Sequence, residues 1–415
     1  MMRRKIYGLM MVGMMLLMAG CSTDDVVKET TSAEGIAISF SCNYDNEEEN
    51  ETRAGHQGVM NTEDLYATGF GVMASVTANN DPEDPGYAGA NKPDLMYNQE
   101  VEFTFVGDMA DPLKGYWSYS PLKYWPTDLT HCYISAYAPY VEQPIANPGT
   151  TTGIYGISEN SYAPYVDYRR CEKPSEVVDL LWYYKDFVNE SGDTEDIPDA
   201  GILNMKMRHA LARLEIQVAL ASAPEDTKVL IEKITLTGKM AKTGRLSLCS
   251  QTTETEGEGP GAVTRYYPVW KNQVYDKDGG GNEINHDIQI TNIENDEGSY
   301  GIIDSQVRYI PGMPYAWQPD GLKFCDAGGT GKGYQNALNT GDRKGYIYLI
   351  PQSTLSLTVV VKYKKWVSGE AEPTSGEKTT TASTVHIPPK PSEEAPYPPL
   401  KGNTTYTLNL TLSGI

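Results

Sequence analysis

The sequence feature that most limits the fold is a series of short runs in which apolar and polar residues alternate. Residues 35–42, GIAISFSC, carry an apolar side chain at every second position: Ile36, Ile38, Phe40 and Cys42. This period matches a β-strand with one buried face, because successive side chains of a strand point to opposite sides. Similar runs follow along the chain and are separated by turn-forming residues.

These runs predict an all-β chain. The β-type segments are residues 35–42, 69–76, 101–107, 115–120, 131–140, 177–184, 202–220, 229–238, 244–250, 346–366 and 403–415. A helical alternative stays open for 177–184, which is continuously apolar, and for RHALARL within 202–220. Long polar stretches lie between the later segments, at 251–262, 276–300 and 367–400. Strands at this spacing predict β-sandwiches, with the acidic, turn-rich residues 189–201 as a domain boundary.

The first twenty residues have the pattern of an export signal. Arg3, Arg4 and Lys5 precede an apolar run, residues 6–20, that spans only about 22 Å as a helix and is too short for a membrane anchor. The run ends in LMAGC, which matches a bacterial lipobox and identifies Cys21 as the residue that becomes lipidated and N-terminal. Acyl chains on Cys21 hold a protein on a membrane. An ordinary secretory signal followed by a chance cysteine is the alternative.

Charge and cysteine spacing exclude several classes of function. The formal net charge of −21 repels phosphate backbones, so nucleic acid is not an expected partner. The five cysteines after Cys21 are odd in number, widely spaced and without a CxxC pair: Cys42, Cys132, Cys171, Cys249 and Cys325. They predict isolated buried thiols rather than a disulfide framework or a zinc site.

Two loops match ligand-binding motifs only in part. GGTGKGY, residues 328–334, is not a phosphate loop, because Asp326 and Gly333 occupy positions that need glycine and a hydroxyl residue. Residues 276–287 place acidic side chains at some positions of a calcium loop, but Gly280 stands where a ligand is needed. A charged hairpin tip is the favoured interpretation, and calcium binding is the weaker one. No cofactor and no metal are predicted.

The sequence contains no recognisable catalytic constellation. The five histidines are scattered, and His209, beside an apolar strand, is better explained as a hydrogen-bonded structural residue than as a base. A glycosidase pair of carboxylates is defined by a spatial separation that the sequence does not give. The aromatic cluster 116–125 favours core or edge packing of Trp117 and Trp125 over a sugar-binding platform. The chain is therefore predicted not to be an enzyme.

The order of several segments resembles the fimbrillin family, the type V pilins of Gram-negative anaerobes. The matching pieces are the lipobox at Cys21, IAISF before TRAG, FGVMA, KYWP with ISAYAPY, DLLWYY, HALARLEIQV, YLIPQSTLSLTVVVKY and GNTTYTLNLTL. The resemblance implies two tandem transthyretin-like β-sandwich domains, residues 54–197 and 198–415. A signal peptide, 1–20, and a propeptide with the first strand, 21–53, would precede them. Lipoprotein export and assembly with other fimbrillin subunits by strand exchange are also implied.

Arg53 is the only lysine or arginine between Lys28 and Lys92. The resemblance implies that an Arg-specific protease cuts the chain after Arg53 and leaves Ala54 as the new N-terminus. A basic residue in a polar linker that is never processed is the alternative.

The segment ahead of this bond is expected to be detachable. Cutting would free residues 21–53 together with the Cys21 anchor and the first strand. The inward side chains of that strand, Ile36, Ile38 and Phe40, would leave an apolar groove with unpaired backbone groups. Such a groove is a template for a strand from another subunit.

The resemblance also bears on the position in a fibre. Stalk pilins of this family donate a spare C-terminal strand, and no obvious extra strand follows residues 403–415. A tip or accessory subunit is therefore expected, surface-exposed at the outer membrane through Cys21 and then part of a fimbrium, with a host or bacterial surface receptor as a candidate partner. Two alternatives stay open: a permanently anchored outer-membrane lipoprotein that binds glycans or host ligands, and a hydrolase with unrecognised carboxylates.

Overall fold

The computed structural model describes a large part of the chain: residues 35–44, 60, 62–77, 93–106, 115–126, 131–159, 163–171, 177–188, 198, 201–222, 228–257, 259, 262–291, 300–301, 335–336, 346–366, 374–379 and 385–413. The predicted signal peptide, Cys21, Arg53 and Ala54 lie outside the described residues. None of the helical segments within these ranges could span a lipid bilayer.

The described residues form one short helix and 21 strands, which confirms the all-β prediction. In chain order the elements are β1 Ser39–Tyr44, α1 Thr62–Thr68, β2 Phe70–Thr77, β3 Met96–Phe105, β4 Gly115–Ser118, β5 His131–Ala138, β6 Gly153–Ile157, β7 Tyr165–Arg169, β8 Leu181–Val188, β9 Ile202–His209, β10 Ala212–Ser222, β11 Lys228–Gly238, β12 Ala241–Glu256, β13 Val263–Tyr275, β14 His286–Thr291, β15 Tyr300–Gly301, β16 Gln335–Asn336, β17 Ile347–Leu349, β18 Leu355–Trp366, β19 Thr374–Thr379, β20 Val385–Ile387 and β21 Thr404–Ser413.

The first sheet contains seven strands in the order β1-β9-β8-β5-β2-β3-β4. β1 runs parallel to β9, and the other neighbours are antiparallel. Apolar side chains from one face of these strands form a single core together with Leu65 of α1, which is fully buried. The helix ends at Thr68. The next residue, Gly69, has a φ of +63°, and its N–H donates to the carbonyl of Leu65 at 2.9 Å.

Two further sheets share a second core. In one of them β10 pairs with β16 and β17 and, in parallel, with β21. The other has the order β15-β14-β11-β18-β19, and β20 also pairs with β18. Apolar residues of both sheets, among them Leu214, Leu236, Val359 and Leu408, belong to one buried cluster. Two sheets that bury their apolar faces against each other are the arrangement expected of a β-sandwich.

A fourth sheet, of order β13-β12-β7-β6, joins strands that are distant in the sequence. β7 pairs with β12, which lies about seventy residues further along the chain. Arg170, directly after β7, is buried, and its Nη1 donates to the carbonyls of Met240 and Ala241 at 3.2 and 3.1 Å. This sheet therefore connects residues on both sides of the predicted domain boundary.

β9 also lies beyond that boundary in sequence, yet it is the second strand of the first sheet. A strand that comes after residue 197 thus completes the core formed by the strands before it. The division into 54–197 and 198–415 and the transthyretin-like topology stay predictions.

The sequence prediction missed several strands with exposed faces. β12 continues into the polar stretch 251–262, β14 lies within 276–300, and β19 and β20 lie within 367–400. Neither helical alternative is formed. Residues 181–184 belong to β8, and RHALARL spans the end of β9 and the beginning of β10.

Candidate functional site

The candidate site is the place that the first strand occupies in the first sheet. Ile38 and Cys42 are buried, and Phe40 between them is only 6% exposed, so one face of this segment belongs to the core. Ile36 is different: its side chain is 41% exposed. The expected inward placement therefore does not hold for Ile36, whereas Ile38 is buried although it also precedes the ladder with β9, which begins at Ser39. The buried part starts at Ile38.

Backbone hydrogen bonds hold this segment on both sides. On one side, β1 pairs in parallel with β9 from Ser39 beside Ile202 to Tyr44 beside Met207. Opposite, the N–H of Ile38 donates to the carbonyl of Lys123 at 2.9 Å. We call the space bounded by β9, by residues 119–125 and by the apolar core the first-strand slot.

The two edges of the first sheet meet at this slot. β1 is one edge strand and β4 is the other, and the chain directly after β4 bonds to the beginning of the β1 segment. The N–H of Trp125 donates to the carbonyl of Ile36 at 2.8 Å, and Ala37 forms an isolated bridge with Tyr124. The first strand therefore closes the gap between the two ends of a curved sheet.

Aromatic side chains line the slot around Phe40. Its ring lies 5.8 Å from that of Phe70 in an edge-to-face arrangement and 5.5 Å from that of Tyr119. The hydroxyl of Tyr119 donates to the carbonyl of Ile38 at 2.9 Å and accepts from the N–H of Lys123 at 3.2 Å. Burial raises the pKa of Tyr119 to about 12, so the neutral hydroxyl stays available as a donor over the physiological range.

Gly201, just before β9, lets the first strand approach closely. Its φ is +72°, and an added Cβ would lie 2.3 Å from the carbonyl oxygen of Ala37 and 2.6 Å from Cγ2 of Ile36. Its carbonyl oxygen accepts from Nε1 of Trp125 at 3.0 Å. The sequence prediction missed this residue as part of the site. The turn signal PDAG was its only local sign, and it does not reveal which strand lies opposite.

The thiol of Cys42 is part of the buried face. Desolvation raises its pKa, so the thiol stays protonated and behaves as a small apolar side chain. Cys132 and Cys171 are also buried, whereas Cys249 is partly exposed, and all four are free thiols. Cys325 lies outside the described residues.

The partial calcium motif forms a charged loop between β13 and β14, with an isolated antiparallel bridge between Lys277 and Glu283. Asp276 lies 2.8 Å from Nζ of Lys242 and 3.5 Å from Nη2 of Arg170. Burial alone would raise the pKa of Asp276, but these cations and His286 outweigh it and hold the pKa below the usual value. Asp278 instead accepts the N–H groups of Gly280 and Asn282, both at 2.9 Å.

These carboxylates are thus engaged in separate contacts within the protein. Among the residues that the structure describes, no group of three or more His, Cys, Asp or Glu side chains is placed to hold a metal ion.

Trp125 is buried and Trp117 packs against the first core, as expected for structural aromatic residues. His209 is buried as well, with Nδ1 at 2.7 Å from Oδ2 of Asp179.

A family model described as fimbrillin-like matches residues 52–311. Because this match covers more than half of the chain, the protein belongs to the fimbrillin-like family, and the resemblance found in the sequence is confirmed. No curated protein matches the chain.

Solved structures give weaker similarities. A candidate cell adhesion protein from Bacteroides uniformis shares 10% identity over 91% of this chain and 94% of its own, with a TM-score of 0.36. One from Bacteroides ovatus shares 14% identity over 91% and 92%, with a TM-score of 0.33. The fimbrial anchor protein Mfa2 from Porphyromonas gingivalis shares 10% identity over 61% and 77%, with a TM-score of 0.21. These TM-scores are too low to support a conclusion about this chain.

Proposed function

We propose that this protein is an adhesive structural subunit of a fimbrium whose first strand is exchanged for a strand of another subunit. Membership of the fimbrillin-like family supports the class of function. The observation that carries the proposal is the placement of Ile38, Phe40 and Cys42 in the first-strand slot, ahead of the Arg53–Ala54 bond in the chain.

Cutting after Arg53 changes what holds the first strand. Before the cut, β1 is covalently joined to the rest of the domain. After it, only the ladder with β9, the contacts to residues 119–125 and the buried side chains remain. Burial of Ile38 and Phe40 contributes roughly 2 kcal/mol each, so the strand would still leave slowly and at a cost. An incoming strand that offers the same ladder and apolar side chains removes that cost.

The geometry of the slot defines the strand that it accepts. That strand must run parallel to β9, because β1 does. It must place apolar side chains where Ile38, Phe40 and Cys42 lie, at every second position. A shift of one residue would turn these side chains outward, so the slot also fixes the register of the incoming strand.

The position in the fibre belongs to the same proposal. β21 pairs in parallel with β10, and Leu408 and Leu410 of β21 are buried in the second core. A strand that is used inside its own subunit is not free for donation. This pairing favours a tip or accessory position over a place in the shaft.

Export as a lipoprotein anchored at the outer membrane through Cys21, and processing by an Arg-specific protease, complete the proposal. Their support is the sequence: the lipobox that ends at Cys21 and the isolated Arg53. After the cut, the anchor would depart with residues 21–53 and the subunit would stay on the cell only within a fimbrium.

A permanently anchored lipoprotein that binds glycans or host ligands is the second candidate. Exposed aromatic side chains on β3 and β4 favour it: Phe105 is 55% exposed and Tyr116 is 56% exposed. Such rings stack on sugars when they are accessible. This candidate keeps Cys21 as the N-terminus of the protein on the cell surface.

The N-terminus of surface-sheared protein distinguishes the two candidates. We expect wild-type material to begin at Ala54 and an Arg53→Ala variant to keep the lipidated Cys21 and to form no polymer. Lys28→Ala, the nearest basic substitution on the N-terminal side, serves as the control and should behave as wild type. Identical termini and equal polymer from wild type and Arg53→Ala would refute the strand-exchange proposal.

A further inference from the structure

A buried polar contact holds Met60, the first described residue after Arg53 in the chain. The backbone N–H of Met60 donates to Oδ2 of Asp179 at 3.1 Å. The same oxygen lies 2.7 Å from Nδ1 of His209. The side chains of His209 and Asp179 are 2% and 1% exposed, and Met60 is buried in the first core.

This contact lies beyond the ladder between β1 and β9. The parallel ladder between β1 and β9 ends at Met207, and His209 lies two residues beyond it. His209 pairs instead with Leu181 of β8, and the next N–H, of Ala210, donates to the carbonyl of Leu180 at 2.7 Å. Removal of the first strand would leave these partners in place.

The parallel direction of β1 brings both ends of the connecting segment to one place. β1 ends at Tyr44, beside Met207, and the described chain resumes at Met60, which is bonded to Asp179 next to His209. Met207 and His209 are about 7 Å apart along a strand. Tyr44 and Met60, the described residues on either side of Arg53 in the chain, therefore lie near the same end of β9.

We propose that the Asp179–His209 pair anchors the new N-terminal segment, so that release of the first strand stops at Met60. This inference rests on the proposed strand exchange. With the anchor in place, Met60 stays in the core when β1 leaves, and so does Leu65 in α1. The opening is then one strand wide, which matches a single incoming strand.

Without the anchor, the N-terminal segment created by the cut would dissociate from the core as far as α1. Leu65 is fully buried, so its departure would widen the opening and expose more of the core. A buried carboxylate that loses a partner is strongly unfavourable, which is the physical reason why this pair resists opening. Asp179 and His209 are thus positioning residues for the exchange.

Hydrogen exchange of the full chain, measured by mass spectrometry before and after treatment with an Arg-specific protease, tests this anchor. In Asp179→Ala we expect peptides covering residues 60–68 to exchange about tenfold faster or more, the effect of losing a hydrogen bond to a charged group. Asp179→Asn keeps an acceptor oxygen and should restore most of the protection. Asp276→Ala removes a carboxylate that pairs with Lys242 elsewhere in the protein, and it should leave the exchange rate of residues 60–68 unchanged.

Trimming of the cut protein by an aminopeptidase gives a second measurement. Wild-type protein should resist trimming at Met60, whereas Asp179→Ala should be shortened into α1. If Asp179→Ala does not fold, His209→Gln decides with the same two measurements. Unchanged protection of residues 60–68, or a loss of protection spread over the whole chain, would overturn the anchor.

Polymer formation by the same proteins separates the two proposals. A wild-type chain that shows the anchor in the uncut state but never exchanges its first strand would refute strand exchange and leave the anchor intact. A chain that polymerises normally, although Asp179→Ala has no effect on residues 60–68 or on trimming, would refute the anchor alone.

Discussion

Two strands of this protein pair in parallel with neighbouring parts of one continuous stretch: β1 with β9, and β21 with β10. Only Ala210 and Leu211 separate β9 from β10. Both added strands bury apolar side chains at alternate positions, in the first core for β1 and in the second for β21. The same local geometry thus occurs twice.

The two strands differ in the length of their ladders and in the presence of a proposed cleavage site nearby. The β1 ladder covers Ser39–Tyr44, whereas the β21 ladder covers Thr404–Ser413 and includes a register shift between Leu220 and Ser222. The isolated Arg53 comes shortly after β1 in the sequence. A short ladder next to the proposed cleavage site suits a strand that is exchanged, and a long ladder suits one that is retained.

Truncating one buried side chain in each strand should give the largest difference between β1 and β21. Phe40→Ala is expected to lower the free energy of unfolding of the uncut chain by about 3–5 kcal/mol, and Leu408→Ala by about 2–5 kcal/mol. After cutting at Arg53, only Phe40→Ala should speed departure of the 21–53 fragment, by about a hundredfold or more. Denaturant titration and the rate of fragment loss measure the two effects.

Equal acceleration by both substitutions would contradict this account, because Leu408 belongs to the second core and not to the first-strand slot. No acceleration by either would show that the buried face of β1 does not determine its retention.

Substituting one glycine next to each strand, Gly201 or Gly402, should have a smaller effect on stability and on fragment loss. A Cβ at Gly201 would lie 2.3 Å from the carbonyl oxygen of Ala37, and a Cβ at Gly402 would lie 2.3 Å from that of Ala210. Gly201→Ala also places alanine at φ of +72°, so we expect it to destabilise the uncut chain by about 1–3 kcal/mol and to speed fragment loss about tenfold. Gly402→Ala should destabilise the chain without changing fragment loss.

Gly149→Ala is the control for both, because no atom lies within 4 Å of its added Cβ. If Gly201→Ala retained the fragment as firmly as Gly149→Ala, the close approach of β9 to the first strand would have no role in holding it.

Local pattern was sufficient to find the first strand but not its partner. Ile38, Phe40 and Cys42 alternate because one face of the strand is buried, and that period is visible in the sequence. Ile36 continues the period but its side chain is exposed, so the period alone does not show where the buried part of the strand begins. That β9, far along the chain, is the partner depends on long-range packing that no local period encodes.

Strands with exposed faces were missed for a related reason. The last part of β12, after Gln251, and the first part of β13 are mostly exposed, so their side chains show no apolar alternation. β13 contains Pro268 and is an edge strand of its sheet, where proline is tolerated. Backbone pairing and polar side-chain contacts such as Arg265 with Glu256 hold this ribbon, and neither produces a hydrophobic pattern in the sequence.

The parts of the site that sequence reasoning missed are those defined by contact between distant residues. Tyr119 meets Ile38, Gly201 meets Ala37, and Asp179 meets Met60. Each residue type is ordinary at its position in the sequence. His209 was predicted as a structural histidine, but its position beside Met60 required the register of β8 and β9.

A reversible disulfide across the first-strand ladder tests the central claim most directly. Ser41 lies opposite Asn204, so Ser41→Cys with Asn204→Cys would join β1 to β9; Glu215→Cys with Thr407→Cys would join β10 to β21 in the same way. We predict that protein cut at Arg53 forms no polymer while the β1–β9 disulfide is closed, forms polymer again after reduction, and is unaffected by the β10–β21 disulfide. Polymer formation with the β1–β9 disulfide intact would contradict the account, because the first strand would then not need to leave.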